Sequence, residues 1–233
     1  LAVNTLGVLN IVERGDRVQS IKDLAGKKLY ATGQGATPEY TLRHILKQNG
    51  IDPDSGLTIQ WCADTTEALS YIANDSEAIA MLPQPFATAA MGQVDGLRVA
   101  IDLNDAWTEI EDCDIVTGVV VARTDFVKEH PQAVETFLSE YEASVAYTND
   151  NASDAAELIA GYGIVAKAPL AEKAIPKCHI TFLKGQEMKD SVSGYLQILF
   201  DENPQAVGGT LPADDFYLSL IHISEPTRHS LIS

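Results

Sequence analysis

Gly33-Gln34-Gly35-Ala36-Thr37-Pro38-Glu39-Tyr40 is the stretch on which the reading of this chain turns. It follows a strand-like run, residues 28–32 (KLYAT), and opens a helical pattern over 38–48 that Asn49-Gly50 stops. Thr37 is the expected N-cap and Pro38 suits the first helical position. A glycine-rich strand-to-helix turn keeps side chains away and aims backbone N–H groups outward at the positive end of a helix. That is a ready place for a carboxylate, sulfonate or phosphate. The turn offers a hold on a small anionic or polar ligand, and nothing beside it in sequence suggests a means of transforming that ligand.

The same βα rhythm continues outward. Strand patterns at 57–62, 78–82 and 97–103 alternate with helical ones at 65–74 and 85–91, and Asp64 with Glu67 has capping-box spacing. Strands separated by helices of this length predict a parallel sheet covered on both faces, one α/β block over about 18–110. Residues 115–122 read as a further strand. A long helix follows from Pro131, with Val134, Phe137, Leu138, Tyr141 and Val145 on one stripe. Ser153 is the expected cap of a helix through Ala160. Further helices are expected at 170–175 and 186–200. This C-terminal block is helix-rich and is expected to need strands from elsewhere to complete a sheet.

Composition narrows the function. The 233 residues carry 16 basic and 33 acidic side chains, a formal charge of −17, and 45% of them are apolar. That charge repels nucleic acid and anionic membrane surfaces, while a few aimed N–H groups still act locally on a small anion. No apolar run approaches the about 20 residues of a membrane helix. Cys62, Cys113 and Cys178 are widely spaced and odd in number, so no disulfide framework or zinc ribbon is expected. Cys178-His179 reads as a packed or surface pair. No metal and no cofactor is expected. The dinucleotide fingerprint lacks its third glycine, and neither a P-loop nor a Gly-x-Ser-x-Gly elbow occurs. His44 reads as a surface residue on its helix, His130 as a cap neighbour, and Trp61 and Trp107 as partly buried packing residues.

Four segments in this order resemble the substrate-binding proteins of ABC importers, in the group that takes up sulfonates, taurine and thiamine pyrimidine precursors. Residues 18–28 (VQSIKDLAGKK) look like the entry into the family's second lobe, and Gly33 to Tyr40 resembles the loop that holds the ligand's head. Residues 80–86 (AMLPQPF) sit where the family has an aromatic or acidic residue before Pro-Phe or Pro-Tyr. Here that residue is Gln84, a departure that removes a charged contact. Residues 119–126 (VVVARTDF) with His130-Pro131 resemble the crossing back into the first lobe. The resemblance covers about 1–217.

It implies an α/β fold of two lobes around a cleft that closes on its ligand by a hinge. Residues 1–17 are then a remnant of lobe I with the first crossover at 8–17. Residues 18–114 form lobe II, and 115–217 the second crossover with the helical part of lobe I. Lobe II is expected complete and lobe I without its N-terminal βα units, about 90 residues at about 30 each. The start on Leu1-Ala2-Val3-Asn4 is expected as the middle of a longer protein. Residues 218–233, from Leu218 through Arg228 and on, read as the translation of a sequencing-library adapter and not as native protein.

The expected ligand contacts are Asn4 and Thr5 at the end of a first-lobe strand, Gln34, Gly35, Ala36 and Thr37 in the turn, Pro83 and Gln84 after a second-lobe strand, and Thr117 on the returning crossover. The expected catalytic set is empty. The implied partners are a small-molecule solute and an ABC permease, with no nucleic acid and no membrane contact beyond a lipid anchor upstream. The implied location is extracytoplasmic. Two other readings share the fold: the ligand-sensing effector domain of a transcription regulator, and a pyrimidine synthase of thiamine biosynthesis. That synthase carries a cysteine cluster that this sequence lacks.

Overall fold

The computed structural model describes residues 1–218; apart from Leu218, the stretch expected to derive from an adapter lies outside them. In chain order the elements are β1 (Ala2–Thr5), β2 (Leu9–Arg14), β3 (Lys28–Ala31), α1 (Thr37–Gln48), β4 (Thr58–Trp61), α2 (Thr65–Asn74), β5 (Ile79–Pro83), α3 (Phe86–Met91), β6 (Leu97–Asp102) and α4 (Leu103–Thr108). The C-terminal part adds β7 (Gly118–Val120), α5 (Thr124–Glu129), α6 (Pro131–Asp150), α7 (Ala152–Gly161), α8 (Ala168–Ala174), β8 (Ile180–Leu183) and α9 (Gly185–Glu202).

Two sheets result: a five-stranded one in the order β4-β3-β5-β2-β6 and a three-stranded one in the order β7-β1-β8. In the first, alternate residues serve opposite faces, as the pleat requires. Ile11, Leu29 and Met81 meet Leu42, Ile45 and Trp107 on one face. Val12, Tyr30, Ala80 and Leu82 meet Ala68, Ile72 and Ala87 on the other. The result is a helix–sheet–helix sandwich. The sheet is mixed, not parallel throughout: β3 pairs parallel with β4 and β5, while β2 runs antiparallel between β5 and β6. The reason lies in the chain path. Strand β2 enters from the other sheet without a crossover helix, so it arrives in the opposite sense to the βα strands.

In the second sheet, Ala2 packs with Val134 and Leu138 of α6, and Val3 with Met188 of α9 and Tyr217. Leu218 joins the first of these clusters. Helix α9 serves both sheets: its early Met188 sits under β1, while its later Tyr195 and Leu199 belong to the core of the five-stranded sheet.

Several boundaries differ from the sequence reading. The segment expected as crossover, 8–17, contains β2, a central strand whose Ile11 and Val12 are fully buried. Only Gly118–Val120 of the expected strand 115–122 pairs. Ile115 turns into the larger core, and Val121 is 70% exposed beyond the last ladder pair. The N-cap of α1 is Ala36, in extended conformation, so Thr37 is the first helical residue and Pro38 the second. The N-cap of α7 is Asn151, not Ser153.

Candidate functional site

The nine expected contacts fall in three regions, the first made of two stretches that meet, residues 4–5 and 117. The first joins the sheets. The Thr117 N–H donates to the Thr5 carbonyl (3.0 Å), so the outgoing and returning chains run side by side. Thr5 Oγ1 donates to Asn4 Oδ1 (3.1 Å), and Asn4 Nδ2 donates to the hydroxyl of Tyr141 on α6 (2.9 Å). A Cβ at position 118 would overlap Asn4 Oδ1, which is why a glycine stands there. Asn4 and Thr5 therefore hold each other and Tyr141.

The second segment is the turn before α1. Gly33 and Gly35 have φ of 89° and 74°, the left-handed conformation that glycine adopts without strain. The Gly35 N–H donates to Glu39 Oε2 at 2.7 Å, and the Ala36 N–H donates to the Gly33 carbonyl at 3.1 Å. Pro38 has no N–H. Of the amides expected to face an anion, Thr37 alone is left to do so, and a carboxylate of the same helix already stands over its neighbour. Arg43 lies 3.9 Å from Glu39, but its Nη2 donates to both carboxylate oxygens of Asp54, each at 2.8 Å.

The third segment follows β5. Pro83 pairs with Leu9, and the Gln84 N–H donates to the Val8 carbonyl (2.8 Å), which sets Gln84 against the chain where it passes between the sheets. Gln84 is 6% exposed. Its Oε1 accepts from the N–H and the hydroxyl of Thr88 (3.3 and 2.7 Å), and its Nε2 has no partner among the described residues. Strands β3 and β5 are parallel neighbours, so this segment and the turn before α1 leave the sheet at the same edge. Ligands bind at that edge in open α/β sheets.

A cavity of about 590 Å³ runs along β7 and α9. Thr37 and Thr117 line it together, with Val119, Val121, Val192 and Leu196. Asn4, Thr5, Gln34, Gly35, Ala36, Pro83 and Gln84 do not. The structure thus brings Asn4, Thr5 and Thr117 together by hydrogen bonds, and Thr37 with Thr117 across one cavity. Pro83 and Gln84 sit apart, tied to Val8.

Sequence reasoning missed four side chains that shape this region. Glu39 was legible only as an acidic first-turn residue. Thr88 fixes Gln84, and Tyr141 read as part of an apolar stripe. The fourth is His179, the one described non-glycine residue with positive φ, at 45°. Its Nδ1 bonds the Gly7 carbonyl, its own carbonyl accepts the Leu6 N–H (3.1 Å), and its Nε2 lies 3.8 Å from Asp102 Oδ2. It therefore reaches from the edge of the three-stranded sheet to the end of β6. Burial holds the Asp102 carboxyl above the usual carboxylate range. His44, read as a surface residue, is partly buried: its Nε2 is 2.7 Å from Glu111 and its ring is 5.1 Å from that of Trp107. Trp107 is fully buried, and its indole N–H donates to the Cys113 carbonyl.

The three thiols are free, and burial raises the pKa of each, that of Cys113 to about 11. None is primed as a thiolate nucleophile near neutral pH. Among the described residues no cluster of three or more His, Cys, Asp or Glu side chains is placed to hold a metal ion. Among those residues, too, no helix is long and apolar enough to cross a membrane.

The family model described as NMT1/THI5 like matches residues 3–155, more than half of the chain. The chain belongs to the NMT1/THI5-like family. It is similar to an ABC transporter protein of Parabacteroides distasonis, at 26% identity and TM-score 0.74, over 94% of this chain and 73% of that one. The periplasmic aliphatic sulphonate binding protein SsuA of Escherichia coli shares the fold at 18% identity and TM-score 0.69, over 88% of this chain and 68% of that one. So does the desulfurization enzyme DszB, at 13% identity and TM-score 0.60, over 95% and 76%. No curated protein matches the sequence.

Proposed function

Taking membership of the NMT1/THI5-like family as the premise, we propose that this chain is the extracytoplasmic solute-binding component of an ABC importer. It captures a small organic solute between its two sheets and hands it to a membrane permease. The observation that carries the reading is the shape of the junction. The chain passes between the sheets at residues 6–8 and again at 115–117, and of the candidate contacts Asn4, Thr5, Thr117 and Gln84 lie at or against these passages. Two short passages side by side are what a hinge needs, because a few residues can absorb the rotation of closure. Closure then wraps the solute in polar groups from both sides: Asn4, Thr5 and Thr117 from one, Gln34 to Thr37 with Pro83 and Gln84 from the other. We propose that residues 9–114, with β2 in the five-stranded sheet, form one lobe, and that the C-terminal part, together with β1, forms the other.

One observation favours a second reading: DszB, a desulfurization enzyme, has the same fold. The expected contacts of the present chain are amides and hydroxyls, the His179 imidazole beside them is engaged with the Gly7 carbonyl, and its thiols are held protonated. Those groups suit recognition better than nucleophilic or acid–base chemistry, which supports capture over turnover.

A thermal-shift screen tests the proposal. The panel holds alkyl sulfonates, taurine, pyrimidines, amino acids and nitrate, each with product analysis. A solute at about 100 times its dissociation constant stabilises by about 2.7 kcal/mol. Thr37→Trp, which fills the cavity between Thr37 and Thr117, is expected to remove at least two-thirds of that shift while leaving the unliganded melt within about 3 °C, a surface-type change. An undiminished shift in the variant would rule out this site, and conversion of the solute would favour the enzyme reading.

A further inference from the structure

We infer that the solute is uncharged where the five-stranded sheet holds it, and that it presents a hydrogen-bond acceptor, such as a carbonyl oxygen or ring nitrogen, to the Gln84 amide. This rests on the reading above and adds the chemical class of the cargo.

The inference begins from the orientation of one carboxamide. A glutamine side chain can be turned end for end with little change in shape, so hydrogen-bond partners must decide which end is which. At Gln84 they do. The Thr88 backbone N–H can only donate, so the atom facing it at 3.3 Å is the carbonyl oxygen. The Thr88 hydroxyl donates to that same oxygen at 2.7 Å. The NH2 group is thereby turned the other way, buried and without a partner among the described residues. A buried donor left unpaired is costly, and proteins seldom leave one so. The position is not incidental either. The Gln84 N–H is tied to the Val8 carbonyl, in the segment that passes between the two sheets. An acceptor arriving as the lobes close would satisfy the orphaned group.

The second observation is independent and concerns charge. The turn before α1 leaves the sheet at the same edge as Gln84, and it already contains an anion of its own. Glu39 occupies the Gly35 N–H at 2.7 Å. A sulfonate or carboxylate entering there would have to displace a carboxylate tethered to the same helix. Arg43 on the same helix does not help, because its guanidinium is paired with Asp54 and with Glu39 itself. A neutral head avoids this competition, and its acceptor matches what Gln84 offers. The glycine-rich turn that reads in sequence as an anion cradle thus has a carboxylate of its own helix on one of its amides.

Matched pairs of probes test this on the whole chain: nicotinamide against nicotinate, benzenesulfonamide against benzenesulfonate, and uracil against orotate, each titrated by calorimetry. The expected result is binding confined to uncharged members. Gln84→Glu keeps the acceptor for Thr88 and replaces the NH2 donor with an oxygen, so it should weaken that binding at least tenfold with the melt retained. Glu39→Gln should raise the affinity for the anionic members at least fivefold. If the anionic members bound the unaltered protein more tightly than their neutral partners, the inference would be overturned and the capture reading would stand. If Gln84→Glu left neutral binding within twofold, a trapped water would account for the Gln84 amide and the inference would also fail. Binding of no pair by a protein that melts cooperatively would count against solute capture itself, and the inference would fall with it.

Discussion

The two sheets of this chain follow the same alternation of residues, yet they end in different conditions. In the five-stranded sheet, Ile11, Leu29, Met81 and Leu82 are at most 1% exposed, and helices cover both faces. In the three-stranded sheet, β1 is buried between its neighbours, but β7 is a three-residue edge strand whose Val119 is 49% exposed, and Val121 just beyond it is 70% exposed. The first sheet is a closed layer system; the second presents an apolar edge to a cavity of about 590 Å³. The difference shows where stability resides and where the molecule is free to respond. Apolar burial on two faces makes the five-stranded unit the stable platform. The three-stranded unit depends on α9, which is shared between the two. In the proposed function the five-stranded unit is one jaw, and the three-stranded unit, joined to it through the common helix, is the other.

Substitutions can break or sharpen that contrast. The largest effect is expected in the platform: Leu42→Ala, at a fully buried position of α1, should cost about 2–5 kcal/mol in urea unfolding. Next comes the shared helix. The Tyr195 hydroxyl is 2.7 Å from Thr41 Oγ1 in the buried contact between α9 and α1. Tyr195→Phe leaves the Thr41 hydroxyl without that partner and should cost about 1–3 kcal/mol. If it also speeds hydrogen exchange in β1 more than in β5, the shared helix couples the two units; equal exchange in both would show that it does not. The smallest effect is expected at the open edge: Val121→Thr should change stability by less than about 0.5 kcal/mol. A loss comparable to that at Leu42 would mean that the edge is covered in solution and the contrast is false.

What was legible in sequence follows the same division. The βα rhythm over 28–103 predicted β3 to β6 and α1 to α3 to within a few residues, because one apolar face per element repeats with a clear period. The two-lobed plan was carried by the resemblance. Strand β2 was not legible as a strand of the platform, because Leu9-Asn10-Ile11-Val12-Glu13-Arg14 has no helix before it to mark a βα unit, and its partners β5 and β6 lie some 70 to 90 residues on. Glu13 on this strand is fully buried. In the structure it accepts from the Val18 N–H and pairs with Arg98 at 2.7 Å, contacts no local pattern reveals. At the candidate site, sequence identified the glycine turn but not its occupant. Glu39 lies four residues from Gly35, yet only the folded turn shows that its carboxylate returns to that amide. His179 is the clearest case of information held in the fold alone. With its neighbour Cys178 it reads in sequence as a packed or surface pair, whereas in the structure the histidine bonds a passage between the sheets and faces Asp102.

The central claim is capture without conversion at the junction of the two sheets. Equilibrium dialysis of the whole chain against a defined mixture of small metabolites, followed by mass spectrometry of what the protein retains, tests it most directly. The account predicts one class of small molecule retained at one per chain, recovered chemically unchanged, and lost from Thr37→Trp. Recovery of a converted product, or no retention by a cooperatively folded protein, would contradict it.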